Sequence, residues 1–422
     1  MNNAPVGILK KLPNGALQLA YSDEWVDSQN SIPLSLSLPL AKKNYSGDVV
    51  INYFDNLLPD NEGIRKALAQ RMSLRSNEVY DLLAAIGRDC VGAVQLVPLE
   101  EEFIQTTKLM NAIPISDKEI AGVLKNLKNF PLGVKPGENF RISIAGAQEK
   151  TAFLKINNKW HIPQGATPSS HIFKVQMGVL RDSVDMRESV ENEWLCLKIC
   201  KAFDMPTANA EIMDFDGVRS LIVERFDREF TGKEILRYAQ EDFCQIFGRP
   251  SHQKYENEGG PGIIKIMEIL TQSDNPQADK KLFMKSQIIF WLLAAIDGHA
   301  KNFSIFLAPG GIRLAPLYDV MSAHPPIEQG QIPLEKAKLA MAVGQNRHYK
   351  IKEIYPRHWL QTAKQAKFSE SEMRAIIDEV CLATPQVIES VKKILPKDFP
   401  QVVANAIFDG MLNSMKILKN KM

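Results

Sequence analysis

Asp297 stands five positions before Asn302 in the run Ala295-Ile-Asp297-Gly-His299-Ala-Lys301-Asn302, and Asp319 follows in Pro316-Leu-Tyr318-Asp319. Phosphoryl transfer asks little covalent chemistry of a protein. It requires a base to orient a hydroxyl nucleophile and oxygen ligands to hold Mg2+, a hard cation, against a triphosphate. Protein kinases set a base Asp five positions before a metal-binding Asn and bring a second metal-binding Asp back across a hairpin. The order and first spacing here are the same, so Asp297 is the candidate base and Asn302 and Asp319 the candidate metal ligands. Taken singly, either Asp reads equally well as an ordinary turn residue. His299 and Lys301 are open between a structural role and contact with phosphate or with Asp297.

The flanking elements must hold these residues still. Leu282 to Ala295 carries apolar residues at helical spacing and is expected to run as a buried helix into Asp297 without a break. After Asn302, two apolar runs flank Pro309-Gly310-Gly311, the signature of a β-hairpin that returns the chain to Asp319.

A second constellation lies upstream, in Phe140-Arg-Ile-Ser143-Ile-Ala145-Gly146-Ala147-Gln148-Glu149-Lys150. Small residues between two β-patterned runs make a loop whose backbone N–H groups can approach phosphates, although it is neither a Walker sequence nor a kinase glycine loop. Lys174 follows on an alternating strand, where kinases keep the lysine of the α/β-phosphates. The next helical stretch offers Glu193 as its ion-pair partner. Further on, Arg219 to Asp227 reads as a strand ending in a polar switch, which makes Glu224, Arg225 and Phe226 candidates for an adenine-binding hinge. A strand end capped by salt bridges is the alternative.

Taken along its length, the chain resembles the HipA family, the serine/threonine kinase toxins of bacterial HipBA toxin–antitoxin modules. The likeness runs from Pro33-Leu-Ser-Leu-Ser-Leu-Pro-Leu40 and Asn52-Tyr-Phe-Asp-Asn-Leu-Leu-Pro59 through Ile86-Gly-Arg-Asp89 and Arg141 to Lys150. It continues to Asp297 to Asn302 and Ile354-Tyr-Pro-Arg-His358. The resemblance implies an ATP- and Mg2+-dependent kinase with Asp297 as base and Asn302 and Asp319 as metal ligands. Its implied ATP contacts are Ala145 to Lys150, Lys174, Glu224 to Phe226, His299, Ala300, Lys301, Asn302, Tyr318 and Asp319. It also implies self-phosphorylation at Ser143, which expels the phosphate loop and stops the enzyme. Glutamyl-tRNA synthetase is the implied substrate, with growth arrest and persistence as the result. A HipB-like antitoxin dimer is the implied partner, with the pair acting as co-repressor on operator DNA. Two departures bear on this: Ile144 stands where the family commonly carries Val, and the loop 183–188 is shorter than expected, which bears on substrate choice. A kinase of a different substrate is one competing reading, and a non-catalytic scaffold for the antitoxin is the other. The intact set of Asp297, Asn302, Asp319 and Lys174 speaks against it, since a scaffold needs none of them.

Composition sets the limits. The 422 residues, 45% hydrophobic and 24% charged, can bury a large core. A net charge of +2 argues against an independent nucleic-acid binder. The five cysteines lack metal-site spacing and read as buried free thiols. With no signal pattern or long apolar span, a cytoplasmic protein is expected. The expected fold is α+β and two-lobed like a protein kinase, with an extra N-terminal subdomain. The expected divisions are an α+β subdomain at 1–130, nucleotide-binding strands at 131–228, and a mainly helical lobe at 229–422 broken by the catalytic hairpin. Pro131 to Gly137 reads as a connector. The segment 178–187 reads as a candidate activation segment, and Glu258-Gly-Gly-Pro-Gly-Ile263 as a loop entering a helix rather than a phosphate site.

Overall fold

A computed structural model describes residues 1–2, 4–99, 110–134, 139–180, 182–232 and 234–420. Arg181 and the part of the connector from Lys135 to Gly137 lie outside them. Chain contacts group the fold into two units, one built from residues 1–175, 211–252 and 306–310, the other from 176–210, 253–305 and 311–422.

The first unit opens with an antiparallel sheet of Gly7–Lys11, Leu17–Tyr21 and Asn44–Ser46. Leu17, Leu19 and Tyr21 are buried while Gln18 and Ala20 are less so, the period-2 pattern of a half-covered strand. Helices Asp48–Asp55, Glu62–Arg71 and Val79–Ile86 supply Phe54, Leu68 and Ile86 to the same core. Glu62–Arg71 begins at Asn61, whose side chain accepts from the amides of Gly63 and Ile64. A six-stranded sheet follows, ordered Ala210–Phe215, Val218–Glu224, His171–Val175, Lys150–Ile156, Lys159–Pro163, Ala112–Pro114. Phe153, Phe173 and Ile222 pack with Ile120 and Leu124 of the helix Asp117–Lys125. That helix starts in a reciprocal capping box between Ser116 and Glu119.

Phe140 to Ile144, expected as a strand before the phosphate loop, forms none. Phe140, Ile142 and Ile144 are instead buried in the N-terminal core. Their alternation is satisfied by packing rather than by a ladder.

One buried charge cluster fastens Ile86-Gly-Arg-Asp89 to the end of the sheet. Asp89 accepts from Arg225 at 3.2 Å and Arg228 at 3.0 Å, and from the hydroxyl of Ser169 at 2.6 Å. Arg225 also meets Asp227 at 2.9 Å. The guanidinium groups hold the Asp89 carboxyl far below its ordinary range, outweighing its desolvation. Glu241 behaves in the opposite way. It is fully buried, accepts from Ser35 Oγ at 2.5 Å and Leu36 N at 2.9 Å, and burial pushes its carboxyl up to about 8.

In the second unit, helices Ser189–Ala202, Pro276–Leu292, Pro356–Gln365, Glu370–Lys392 and Gln401–Asn420 pack on one another. The expectation that only the catalytic hairpin interrupts the helical region is corrected by a second hairpin, Lys338–Val343 with His348–Lys350. Leu339, Ala340, Met341 and Val343 are buried along it, an apolar run short enough to read as part of a helix. Strands Arg228–Phe230, Ile235–Arg237 and Ala239–Asp242, in the first unit, likewise lie in the stretch expected to be mainly helical. All five cysteines are free and buried. Among the described residues no helix is long and apolar enough to cross a membrane.

Removing Asp89 leaves Asp227 as the carboxylate facing the buried guanidinium groups of both Arg225 and Arg228, an uncompensated positive charge, so Asp89→Ala is expected to cost about 3–5 kcal/mol in urea unfolding. Glu241 binds its proton more tightly folded than unfolded, so its contribution is intact below the ordinary value of 4.5 and is lost as pH rises towards 8. Glu241→Gln is therefore expected to exceed the parent in stability by about 2–4 kcal/mol at pH 8.5, with the gap closing at pH 4, as read from urea midpoints.

Candidate functional site

The candidate residues fall into two groups, one in each unit. In the second unit, Pro276–Leu292 begins at the Asn275 cap and buries nearly all of its last ten residues. It stops short of Asp297, contrary to the expected unbroken run. Ala294 adopts a left-handed φ of +49°, and the amide of Ala295 bonds back to the carbonyl of Phe290 at 2.8 Å. This is a Schellman closure formed without glycine. Asp297 then sits in a loop rooted in the helix end. A Cβ at Gly298 would lie 2.5 Å from the Phe290 ring, so only glycine lets the loop close against the helix.

Asn302 ties this group together. Its Nδ2 donates to the carbonyl of Asp297 at 3.0 Å and to that of Asp319 at 3.1 Å. With both amide hydrogens spent, Oδ1 is the atom left to meet a cation. The hairpin expected between them is present as Ser304–Ala308 and Gly311–Leu314, closed at its base by Ala315 N to Ser304 O at 2.9 Å. Asp319 has φ +58°, a left-handed turn that an Asp tolerates better than most residues. Behind it, Asn192 clasps Ser322 with two 2.8 Å bonds, and Ser322 Oγ donates to Leu293 O at 2.6 Å. Tyr318 donates to the carbonyl of Lys301 at 2.8 Å. His299, Ala300 and Lys301 are buried.

Two features of this group were not legible in the sequence. The hydroxyl of Tyr255 donates to Asp297 Oδ1, and its ring meets that of His299 edge-on at 5.2 Å. A cavity of about 560 Å³ adjoins Asp297, lined among others by Met177, Met186, Tyr255, Leu339 and Tyr349. The candidate activation segment contributes to its wall through the short ribbon Gly178–Val179 with Asp185–Met186.

In the first unit, Lys174 lies on the central strand His171–Val175, directly opposite Lys150 on one side and Leu221 on the other. Both lysines are buried. Lys150 Nζ donates to Ala145 O at 2.8 Å, Gln148 Nε2 to Val175 O at 2.7 Å, and Asp60 N to Gly146 O at 3.0 Å. The loop Ala145 to Glu149 is thus pinned at both ends, with Gly146 at φ +111° and Ala147 exposed. Ser143 is fully buried at its root and donates to Leu57 O at 2.7 Å.

Arg225 is held at the strand end. Its guanidinium belongs to the Asp89 cluster, its amide donates to Ser170 O at 2.9 Å and its carbonyl accepts from Arg228. The salt-bridged strand end is what the residue builds. Glu193, expected to partner Lys174, is buried in the second unit's helix Ser189–Ala202.

The donor set suits Mg2+. Among the described residues no cluster of three or more His, Cys, Asp or Glu side chains could hold a metal. Mg2+ asks for only one or two protein oxygens and takes the rest from water and phosphate, which one carboxylate and one amide satisfy.

Sequence models of the HipA N-terminal domain and the HipA-like C-terminal domain match residues 1–97 and 142–388. The protein Y4mE of Sinorhizobium fredii is 30% identical over 399 residues, 92% of this chain and 91% of that protein. The serine/threonine-protein kinase toxin HipA of Shewanella oneidensis is 28% identical over 315 residues, 72% of this chain and 69% of that one. A solved structure of the S. oneidensis HipA, HipB and operator DNA complex matches with a TM-score of 0.80 at 23% identity. That match covers 98% of this chain and 95% of that one, so the fold is shared throughout. With both domain models matched in order and a relative aligned along nearly its full length, the chain belongs to the HipA family.

Proposed function

We propose that this chain is an ATP- and Mg2+-dependent serine/threonine kinase acting as the toxin of a toxin–antitoxin module. The observation that carries the reading is the Asn302 amide, bonded to the carbonyls of Asp297 and Asp319. It joins the three residues whose types and spacing suit phosphoryl transfer. Asp297 takes the proton of an acceptor hydroxyl as that oxygen attacks the γ-phosphorus. The bond from that phosphorus to the β,γ-bridging oxygen breaks and ADP leaves. Asn302 Oδ1 and the Asp319 carboxylate would hold Mg2+, which supplies charge neutralisation at the phosphates. Lys174 and the loop Ala145 to Lys150 receive the phosphates, and His299, Ala300, Lys301 and Tyr318 are further proposed ATP contacts. Glu224, Arg225 and Phe226 hold the adenine, with the Arg225 guanidinium turned into the Asp89 cluster.

Glutamyl-tRNA synthetase is the proposed substrate, and a HipB-like antitoxin dimer with operator DNA the proposed assembly. The S. oneidensis HipA structure carries such partners. Ser143 is the proposed site of self-phosphorylation. A phosphate brings nearly two negative charges, and the pocket of Ser143 beside Leu57 has no room for it. Phosphorylation therefore requires residues 140–147 to leave their place, taking the phosphate loop with them.

Labelled phosphate transfer from Mg-ATP to glutamyl-tRNA synthetase with tRNA-Glu is expected for the intact chain. It should fall at least about 100-fold for Asp297→Ala; transfer that persists in the variant would rule out Asp297 as base. Protein phosphorylated at Ser143 is expected to be cut by protease within residues 140–150 and to lose ATP binding, whereas Ser143→Ala protein treated with ATP should show neither change.

A further inference from the structure

We propose that Tyr255 is the positioning residue of the Asp297 base, holding Oδ1 so that Oδ2 meets the acceptor hydroxyl, and that the glycine-rich turn after it exists to present it. This rests on the kinase reading above and adds to it a residue outside the aspartate–asparagine pattern.

Asp297 lies on a loop with its side chain 48% exposed. A carboxylate there rotates over a broad torsional range unless something fixes it. Among the described residues two side chains reach it, and both reach the same oxygen: Tyr255 donates its hydroxyl to Oδ1, and His299 Nε2 stands 3.9 Å from that atom. Tyr255 and Asp297 line the same cavity. A nucleophile entering it finds one oxygen already engaged and the other free to take a proton, the near-attack arrangement a base needs.

The support for Tyr255 is built from backbone. Its carbonyl accepts from the amides of Glu258 at 3.0 Å and Gly260 at 2.9 Å, and the carbonyl of Lys254 accepts from Ala300 N at 3.2 Å, which binds the turn to the catalytic loop. A Cβ at Gly260 would fall 2.6 Å from the Gln253 carbonyl oxygen, and one at Gly262 would fall 2.2 Å from the Glu256 carboxylate. That carboxylate is itself committed, accepting from Ala342 N at 2.6 Å and pairing with Arg347 at 3.2 Å. Gly260 therefore serves close backbone packing beside Tyr255, and Gly262 close packing against the committed Glu256 carboxylate.

The test is steady-state ADP release from Mg-ATP by the full chain, with and without glutamyl-tRNA synthetase and tRNA-Glu, for the intact protein and Tyr255→Phe. Losing the hydroxyl alone is expected to lower kcat about 10- to 100-fold, with KM for ATP within about twofold and the melting temperature unchanged. A kcat equal to or above that of the intact chain would overturn the proposal, since the hydroxyl would then be idle or a block on the base. A loss of kcat matched by a rise in KM and a fall in melting temperature would also overturn it, leaving Tyr255 merely structural. Absence of turnover by the intact chain is a separate result, because it appears before any substitution; it would sink the kinase reading and the role of Tyr255 with it.

Discussion

The geometry of the second unit's candidate site depends on one side-chain amide. Asn302 spends both of its Nδ2 hydrogens on main-chain carbonyls, one beside the candidate base and one on Asp319. Two loops with no shared ladder are thereby held by a group that is itself buried, where a hydrogen bond is costly to leave unmade. The same residue is left with its amide oxygen as the atom that could meet a cation. Asp would lack these donors, and Gln would carry them a methylene too far. An Asn at this place is therefore structural and chemical at once.

Around that bridge the protein uses devices that remove freedom from loops rather than adding secondary structure to them. Ala294 turns the helix end left-handed, Gly298 lets the loop lie on Phe290, and Asn192 clasps Ser322. The core helices carry the rigidity, and the site residues borrow it through main-chain bonds at the helix ends.

The first unit follows a different rule. Its N-terminal portion is joined to the strand end by a buried set of charges in which Asp89 faces the guanidinium groups of Arg225 and Arg228, with that of Arg237 at 3.8 Å. Such a cluster has directional requirements that an apolar contact lacks, and it fails badly when one member is lost. It explains why Ile86-Gly-Arg-Asp89 stands out in the sequence although it lies on no catalytic loop. It also accounts for Arg225, whose place beside the candidate hinge is architectural.

The sequence by itself named the candidates for the chemistry. Asp297, Asn302 and Asp319 are named by residue type and spacing. Lys174 is legible as a strand lysine because its neighbours alternate, and helices such as Glu62–Arg71 follow from local caps and periodicity. What depends on distant contacts was not legible. The helix before Asp297 ends early because Phe290 and Gly298 must pack face to face. Phe140 to Ile144 forms no strand because the N-terminal core takes its side chains. Tyr255 reaches Asp297 across 42 positions of chain, held by glycines whose necessity shows only when the backbones they admit are in place. Periodicity and spacing encode interactions within a few residues; the close approach of remote backbones and the pairing of buried charges are set by the packed fold, so only the tertiary structure decided them.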